Sequence, residues 1–359
     1  MAYLRGRGQN GLRRKTVAIG VDTLKALTTG IDNVAIGTSV ADALTTGLCN
    51  VAIGANALGV STTGCRNVAI GELALGAGVV TGSCNIALGV NTMDALTTGK
   101  NNIAMGKNAF SVATSGCTNI AIGHTALGAG DTTGADNIAI GGYVMDALTT
   151  GICNIAIGAR SMGASTTGCR NIAIGDHALA AGDTTGINNI AIGSATMDAI
   201  TSGICNIALG ADALGVSTTG CLNVAIGNLA LGAAVTTGIS NIAIGTNAAD
   251  VLTSGECNVG IGVHALGAST TGSHNVAIGN TAMGGADVSG NQNVAVGYAA
   301  MDALTTGICN VAIGTNALGA ATTGCQNVAI GELALGTGVL ACGGAGQAEG
   351  NIAIGESAL

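Results

Sequence analysis

The chain has 359 residues, 62 of them Gly, with no Pro, no Trp, one Phe and three Tyr. An ordinary globular core packed with aromatic side chains is therefore excluded, and the lack of Pro excludes collagen. Hydrophobic residues make up 48% of the chain at a mean hydropathy of +0.56, which excludes a disordered polar chain. The formal net charge is −8.

Positive charge is concentrated at the N-terminus. Five of the 11 basic residues lie within residues 1–15, a stretch without acids. We predict a basic, flexible N-terminal arm over 1–15 that anchors the protein to a particle or a surface. The rest of the chain is acidic, so no nucleic-acid partner is expected. No apolar segment follows the basic residues, and none approaches the roughly 18 residues of a membrane helix, so neither a signal peptide nor a membrane span is expected.

A five-residue motif, Asn-[Ile/Val]-Ala-[Ile/Leu/Met/Val]-Gly, recurs about 20 times. From Asn33 the copies are spaced 17, 17 and 18 residues apart, and this triplet makes a 52-residue unit of three coils. So short and regular a period predicts an all-β fold: a parallel β-solenoid (β-roll or β-helix) of about 20 coils of 17–18 residues over 16–359. The longer interval between Asn327 and Asn351 predicts a loop insertion near 337–350.

The motif has the length of one strand, and strand alternation predicts the direction of its side chains. We expect the two aliphatic residues, such as Ile155 and Ile157, to fill the interior, and the Ala between them, such as Ala156, to face outward. The Ala-Leu pair later in each coil, such as Ala126-Leu127, predicts a second inward contact. The Thr-Thr-Gly that follows predicts a turn in which Gly takes a positive φ. An outward Ala column predicts close packing of another copy of the chain; the alternative is that Ala fits a crowded bend of the same chain.

Stacking aligns equivalent residues into columns. The Asn side chains are expected to form a hydrogen-bonded ladder, as in other cross-β stacks. The paired Thr, such as Thr45 and Thr46, invite comparison with ice-binding solenoids, which present flat Thr arrays. Adjacent residues point in different directions, so at most one Thr of each pair joins a flat face, and turn formation is the simpler interpretation.

The 12 Cys occupy related positions in neighbouring coils. Two interpretations stay open: small buried thiols, or disulfides between adjacent coils, whose spacing lies within disulfide reach. The candidate pairs are Cys49/Cys65, Cys153/Cys169, Cys205/Cys221 and Cys309/Cys325. Neither a CxxC motif nor a zinc-ligand spacing is present.

No group of residues predicts catalysis. The four His stand at non-equivalent places, and no acid recurs beside them. The Asp that recurs every 52 residues, as at Asp94 and Asp146, has copies roughly 14 Å apart, which is too far for them to share a calcium ion. We therefore expect a protein that is not an enzyme, with no catalytic residue, no metal site and no cofactor.

The repeat N-[IV]-A-I-G-x-x-A-L…T-T-G, over residues 16–359, resembles two families. One is the heads of YadA-like trimeric autotransporter adhesins; the other, to which the likeness is greater, is the repeat of phage and algal-virus tail fibres. The resemblance implies a β-roll, self-association as a trimer, and binding to host surfaces. Longer coils and abundant Cys depart from the autotransporter pattern and favour the virion fibre.

Three functions are expected, in order of preference. The first is a structural fibre or filament on a virion or extracellular surface, self-associating through small-residue faces or the open ends of the solenoid, as a trimer or a head-to-tail filament. The second is an adhesin or receptor-binding fibre. The third is an ice-binding solenoid.

Overall fold

The computed structural model describes residues 15–336 and 350–358. Within these ranges it contains 20 β-strands of three residues each and no helix. The predicted all-β, parallel β-solenoid is therefore confirmed. The predicted loop insertion and all but the last residue of the predicted N-terminal arm lie outside the described residues.

The chain divides into two compact units, each a solenoid of ten strands. The first unit runs to His177 and includes Asp183–Thr185; the second takes Ala178–Gly182 and continues from Gly186. The strands of the first unit are β1 (Val17–Ile19), β2 (Val34–Ile36), β3 (Val51–Ile53), β4 (Val68–Ile70), β5 (Ile86–Leu88), β6 (Ile103–Met105), β7 (Ile120–Ile122), β8 (Ile138–Ile140), β9 (Ile155–Ile157) and β10 (Ile172–Ile174). The strands of the second unit are β11 (Ile190–Ile192), β12 (Ile207–Leu209), β13 (Val224–Ile226), β14 (Ile242–Ile244), β15 (Val259–Ile261), β16 (Val276–Ile278), β17 (Val294–Val296), β18 (Val311–Ile313), β19 (Val328–Ile330) and β20 (Ile352–Ile354).

Within each unit every strand pairs in parallel with the next, and equivalent residues lie over one another. In β9 and β10, for example, Ala156 lies opposite Ala173. The β-branched residues on either side of the central Ala favour the extended backbone. A Gly ends each strand with a positive φ, as at Gly141 (φ 137°), where an added Cβ would lie 2.7 Å from the carbonyl oxygen of Gly158. This position therefore requires Gly.

The side chains of each strand point opposite to the predicted directions. Ala156 is fully buried, whereas Ile155 is half-buried and Ile157 is 37% exposed. The alternation was predicted correctly, but the assignment of its two faces was wrong. The Ala column lies inside the coil, so it cannot be the small-residue contact face expected from the sequence.

The narrow interior of the coil explains this inversion. The Asn before each of β2 to β19 is buried, and it spans the coil, so that Nδ2 of Asn154 donates to the carbonyl oxygen of Gly168 at 2.7 Å. Beside so short a span there is room for a methyl group and not for Ile. The larger interior side chains come from elsewhere in the coil: Ala126 and Leu127 are fully buried, which confirms the inward Ala-Leu pair.

The predicted Asn ladder is confirmed. Oδ1 of Asn137 accepts from the backbone N–H of Asn154 and from its Nδ2, both at 3.0 Å. Equivalent bonds recur along both units. Because a buried amide without partners is costly, this ladder fixes the coils in register.

The Gly of Thr-Thr-Gly does not take the predicted positive φ. Gly151, for example, is absent from the described residues with positive φ. Its role is spatial: an added Cβ would lie 2.7 Å from Cδ1 of Leu148 and 3.1 Å from Nδ2 of Asn154. The prediction was wrong because crowding, rather than the turn conformation, selects Gly here.

Left-handed conformations occur instead at residues other than Gly. Thr125 has φ 54° and Leu127 has φ 50°. Each such residue costs about 1–2 kcal/mol. The N–H of Thr125 donates to the carbonyl of Lys107 in the preceding coil at 3.0 Å, and that of Leu127 to the carbonyl of Val144 in the following coil at 2.9 Å. The unusual backbone therefore directs hydrogen bonds to both neighbouring coils.

Candidate functional site

The first and third residues of each strand form two columns of outward side chains, which we call the aliphatic face. In all 20 strands these residues are Val, Ile, Leu or Met, and none is polar or charged. They are held outward because the Ala between them is held inward. Each is partly covered by the equivalent residues above and below it, and the remainder is open, as for Leu88 (39% exposed) and Ile313 (41% exposed).

The aliphatic face is large for a surface left in water. Burying an aliphatic side chain contributes about 1.5–3 kcal/mol at about 25 cal/mol per Å², which corresponds to about 60–120 Å². The most exposed of these side chains, such as Leu88, keep about two-fifths of their surface and most of the others are half-buried, so the twenty side chains of one unit expose at most on the order of 500–1,000 Å². The largest apolar patch of a typical monomer is about 300–600 Å², and each partner in a standard interface buries about 800 Å². The upper bound for one unit thus reaches the area that each partner buries in a standard interface.

A second regular surface is the hydroxyl column, formed by the Ser or Thr directly before the Gly of each Thr-Thr-Gly sequence. Thr46, Thr63 and Thr150 are examples, and their side chains are exposed. The Thr before each of them bonds within the stack instead, as where Oγ1 of Thr45 donates to the carbonyl of Thr62 at 3.0 Å. The column therefore presents one hydroxyl per coil, about 4.8 Å apart.

The Cys of the sequence-predicted pairs lie in adjacent coils but in adjacent columns rather than the same one. Cys49 directly precedes its ladder Asn, and Cys65 stands two residues before the next. Sγ of Cys65 accepts from the N–H of Leu48 and contacts the carbonyl of Thr63, each at 3.4 Å. Seven Cys of the four pairs are free thiols in this structure: Cys49, Cys65, Cys153, Cys169, Cys205, Cys221 and Cys309.

The eighth Cys of these pairs, Cys325, is buried and forms a disulfide, but not with Cys309. The predicted Cys309/Cys325 disulfide is not formed in this structure. Sγ of Cys309 contacts Oε1 of Gln292 in the preceding coil at 3.3 Å, so it is directed away from the following coil, which holds Cys325.

Both interpretations of the Cys columns need correction. The seven free thiols are exposed or half-buried, so the prediction of small buried thiols is wrong for them. The disulfides Cys49/Cys65, Cys153/Cys169 and Cys205/Cys221 are not formed here and stay a prediction for oxidising conditions.

Two of the recurring Asp residues, Asp94 and Asp198, cap a backbone turn of the preceding coil. Oδ1 of Asp94 accepts from the N–H of Ala77 at 2.9 Å, in the coil that carries the extra eighteenth residue. Partial burial raises the pKa of the Asp94 carboxyl, and the backbone hydrogen bond opposes this rise without cancelling it. Burial likewise raises the pKa at Asp146, Asp250 and Asp302. These side chains have a structural role in the stack.

Two further properties concern the described part of the chain. Residues 15–336 and 350–358 contain no group of three or more His, Cys, Asp or Glu that could hold a metal ion. The same residues contain no helix long and apolar enough to cross a membrane.

The aliphatic face was not predicted from the sequence. The available signal was the motif itself, in which a methyl-sized residue stands between two bulky ones in nearly every copy. Such a size limit is typical of a crowded interior, because the cost of overpacking depends on volume. Compared with known proteins, the chain matches no protein-family model and no curated protein.

Proposed function

We propose that this protein is a structural fibre protein of a virion or extracellular surface, and that it self-associates through the aliphatic face. One observation carries the proposal: two uncharged columns of aliphatic side chains run along each ten-strand unit, and within the described residues their outer surface stays open. Water contact with so much apolar area is unfavourable, and a second copy of the same flat face would remove it. The repeat's resemblance to tail-fibre sequences supports the surface location, and the protein is proposed not to be an enzyme.

Microscopy of the purified protein tests this function. We expect elongated particles containing more than one chain, because the aliphatic face drives copies together. Substituting Ile122→Lys, Ile140→Glu and Ile157→Lys places charges on that face and should yield single chains. The control places the same charges on the hydroxyl column of the same coils: Thr133→Lys, Thr150→Glu and Thr167→Lys. Single chains in the unsubstituted protein, or equal effects of both variants, would contradict the proposal.

Ice binding is the second candidate, because the hydroxyl column is exposed and regular. A single column is narrow for this purpose, since the position two residues further on varies among Leu48, Cys65 and Lys100. Thermal hysteresis measured on the purified protein decides between the two functions. A fibre protein should give none, whereas an ice-binding protein should give hysteresis that falls when hydroxyl-column Thr are replaced by Lys.

The adhesin role calls for a distinct binding surface, and glycan or cell binding by the purified protein would support it.

A further inference from the structure

Opposite charges border the aliphatic face on its two sides. We call the residue directly before each ladder Asn the leading rim, and the residue directly after each strand-ending Gly the trailing rim. Beside β4 the leading rim holds Arg66 and the trailing rim Glu72; beside β10 they hold Arg170 and Asp176. All four side chains are exposed. The same coil thus carries a cation on one side of the face and an anion on the other.

These charges cannot neutralise each other within the chain. The two rims of a coil are six positions apart in the sequence, which is a span of roughly 20 Å along the extended strand. The ion pairs within 15–336 and 350–358 are Lys25–Asp22 and the contact of His177 with Asp176 at 3.1 Å. Neither contains Arg66, Glu72 or Arg170, whereas Asp176 contacts its own neighbour His177. Three of the four rim charges are therefore outside any ion pair of the described residues and are open to pairing with another molecule.

The two rims are also alike in side-chain size at the levels that carry Cys. Wherever Cys occupies the leading rim, the trailing rim of that coil holds Ala, Val or Thr. These coils carry Cys49 and Ala55, Cys84 and Val90, Cys153 and Ala159, Cys205 and Ala211, Cys257 and Val263, and Cys309 and Thr315. Small side chains thus share a level with small side chains in these coils. At two levels, those of Arg66 and Arg170, a cation faces an acid on the opposite rim, whereas other charged rim residues, such as Asp32 and Asp136, have no charged residue opposite them.

We propose that the occupant of the aliphatic face is a second copy of this chain, packed face to face about a two-fold axis parallel to the stacking direction. This inference rests on the proposed self-association and specifies its geometry. Such an axis keeps every coil level with its equivalent, reverses the strand direction, and sets the leading rim of one copy against the trailing rim of the other. Arg66 of each copy then meets Glu72 of the second copy, and Arg170 meets Asp176.

Other arrangements lose this match. A two-fold axis along the strands would set each rim against itself and reverse the order of the coils. A shift of one coil would place Arg66 level with Ala55 or Val90 instead of an acid. The uniform aliphatic columns do not select a register by themselves, so the rim charges are the groups that fix it.

One level carries an unfavourable pair under this geometry. Beside β6 the trailing rim holds Lys107, and Lys100 stands one residue before the leading rim of the same coil. The two-fold brings Lys107 of one copy towards Lys100 of the other. Replacing Lys107 by Glu should therefore tighten the dimer, although it adds negative charge to an already acidic protein.

Charge reversal in the full chain tests the geometry, with the dissociation constant measured by sedimentation equilibrium at low salt. The double variant Arg66→Glu/Arg170→Glu should weaken association about tenfold or more, because two attractive pairs per copy become repulsive. Adding Glu72→Arg and Asp176→Arg restores the attraction and the net charge, and should restore the affinity. Lys107→Glu alone should strengthen association. All of these side chains are exposed or half-buried, so unchanged circular dichroism is expected and serves as the folding control.

The outcomes separate this inference from the function on which it rests. Rescue by the fourfold variant together with tightening by Lys107→Glu supports the face-to-face dimer. If charge reversal has no effect but Ile122→Lys/Ile140→Glu/Ile157→Lys dissociates the protein, the register proposed here is overturned and the aliphatic interface stands. If the latter variant also associates normally, the aliphatic interface itself is overturned.

Discussion

The central residue of each strand and its two neighbours differ in a way that hydrophobicity alone does not explain. In β6 the central Ala104 is fully buried, whereas the larger Ile103 and Met105 face outward. The interior beside them is spanned by the ladder residue Asn102, which is also fully buried. The strand therefore sorts its side chains by size: the interior takes a methyl group and an amide, and the bulkier apolar groups go outside.

This comparison implies that the outward residues depend on another molecule for their burial. An aliphatic side chain contributes to stability when its surface leaves water, and the solenoid removes only about three-fifths of that of Leu88 or Ile278. The interior is complete within one chain, and under the proposed self-association a second copy covers the outside. Substitutions inside should therefore change folding, and substitutions outside should change association.

The largest expected effect is that of replacing a ladder Asn, tested on two adjacent residues. Asn102 donates to the carbonyl of Gly116 at 2.7 Å and accepts from the N–H of Asn119 at 2.9 Å. Asn102→Leu leaves both groups buried without this partner and should destabilise the unit by about 2–6 kcal/mol in urea unfolding. The neighbouring Asn101 is exposed, so Asn101→Leu should have a much smaller effect. Equal losses for the two variants would contradict the buried ladder.

Enlarging the central residue comes next. Ala104→Leu forces three extra carbon atoms into a filled interior and should destabilise the fold by about 1–3 kcal/mol or more. The control Ile103→Leu changes an outward residue of the same strand and should leave the thermal midpoint nearly unchanged. A larger loss of stability from Ile103→Leu than from Ala104→Leu would contradict this orientation and indicate that Ile103 faces the interior.

The end of a strand gives a third comparison between neighbouring residues. Gly141 has φ 137° and faces the backbone of Gly158, whereas an added Cβ at Gly142 would meet nothing within 4 Å. Gly141→Ala should cost about 1–3 kcal/mol in thermal or urea unfolding. Gly142→Ala should be close to neutral. The positive φ would not be required if both variants were equally stable.

The smallest expected effect is the pH dependence of stability that the recurring Asp residues cause. Burial raises the pKa of Asp94, Asp146, Asp250 and Asp302. Folding therefore favours their protonated form, so their contribution to stability is greatest below the ordinary Asp pKa and is lost as pH rises through the folded-state pKa. The fourfold Asp→Asn variant should gain stability relative to the unsubstituted protein between about pH 4 and pH 7. Thermal midpoints measured across this range would contradict the account if the gap stayed constant.

Sequence reasoning predicted the features that depend on spacing, and it failed where volume or side-chain direction decides. The interval between Asn33 and Asn50 was sufficient to predict the coil and the Asn ladder, because only stacked coils align such a repeat. The inward and outward directions of the strand side chains were predicted from hydrophobicity. The prediction was wrong because the interior is too narrow for the larger side chains. That width depends on how far Asn154 reaches across the coil, which the linear pattern does not contain. The rim residues border the aliphatic face, so they could not be recognised until the outward direction of the strand aliphatics was known.

The Cys pairs show the same limit. Spacing places Cys309 and Cys325 in adjacent coils, which made a disulfide one of two interpretations. Spacing does not state the direction of a side chain, and Cys309 contacts Gln292 in the opposite direction along the stack. Cys325 is disulfide-bonded, but not to Cys309, so closeness of coils was not enough to predict the bond.

A cryo-electron microscopy map of the purified, unsubstituted protein tests the central claim most directly. The account predicts particles of at least two chains, with the Ala and Asn columns inside each coil and the Val and Ile columns of the strands buried between copies. A single isolated chain, or a map in which the strand aliphatics fill the coil interior and Ala faces the solvent, would contradict it.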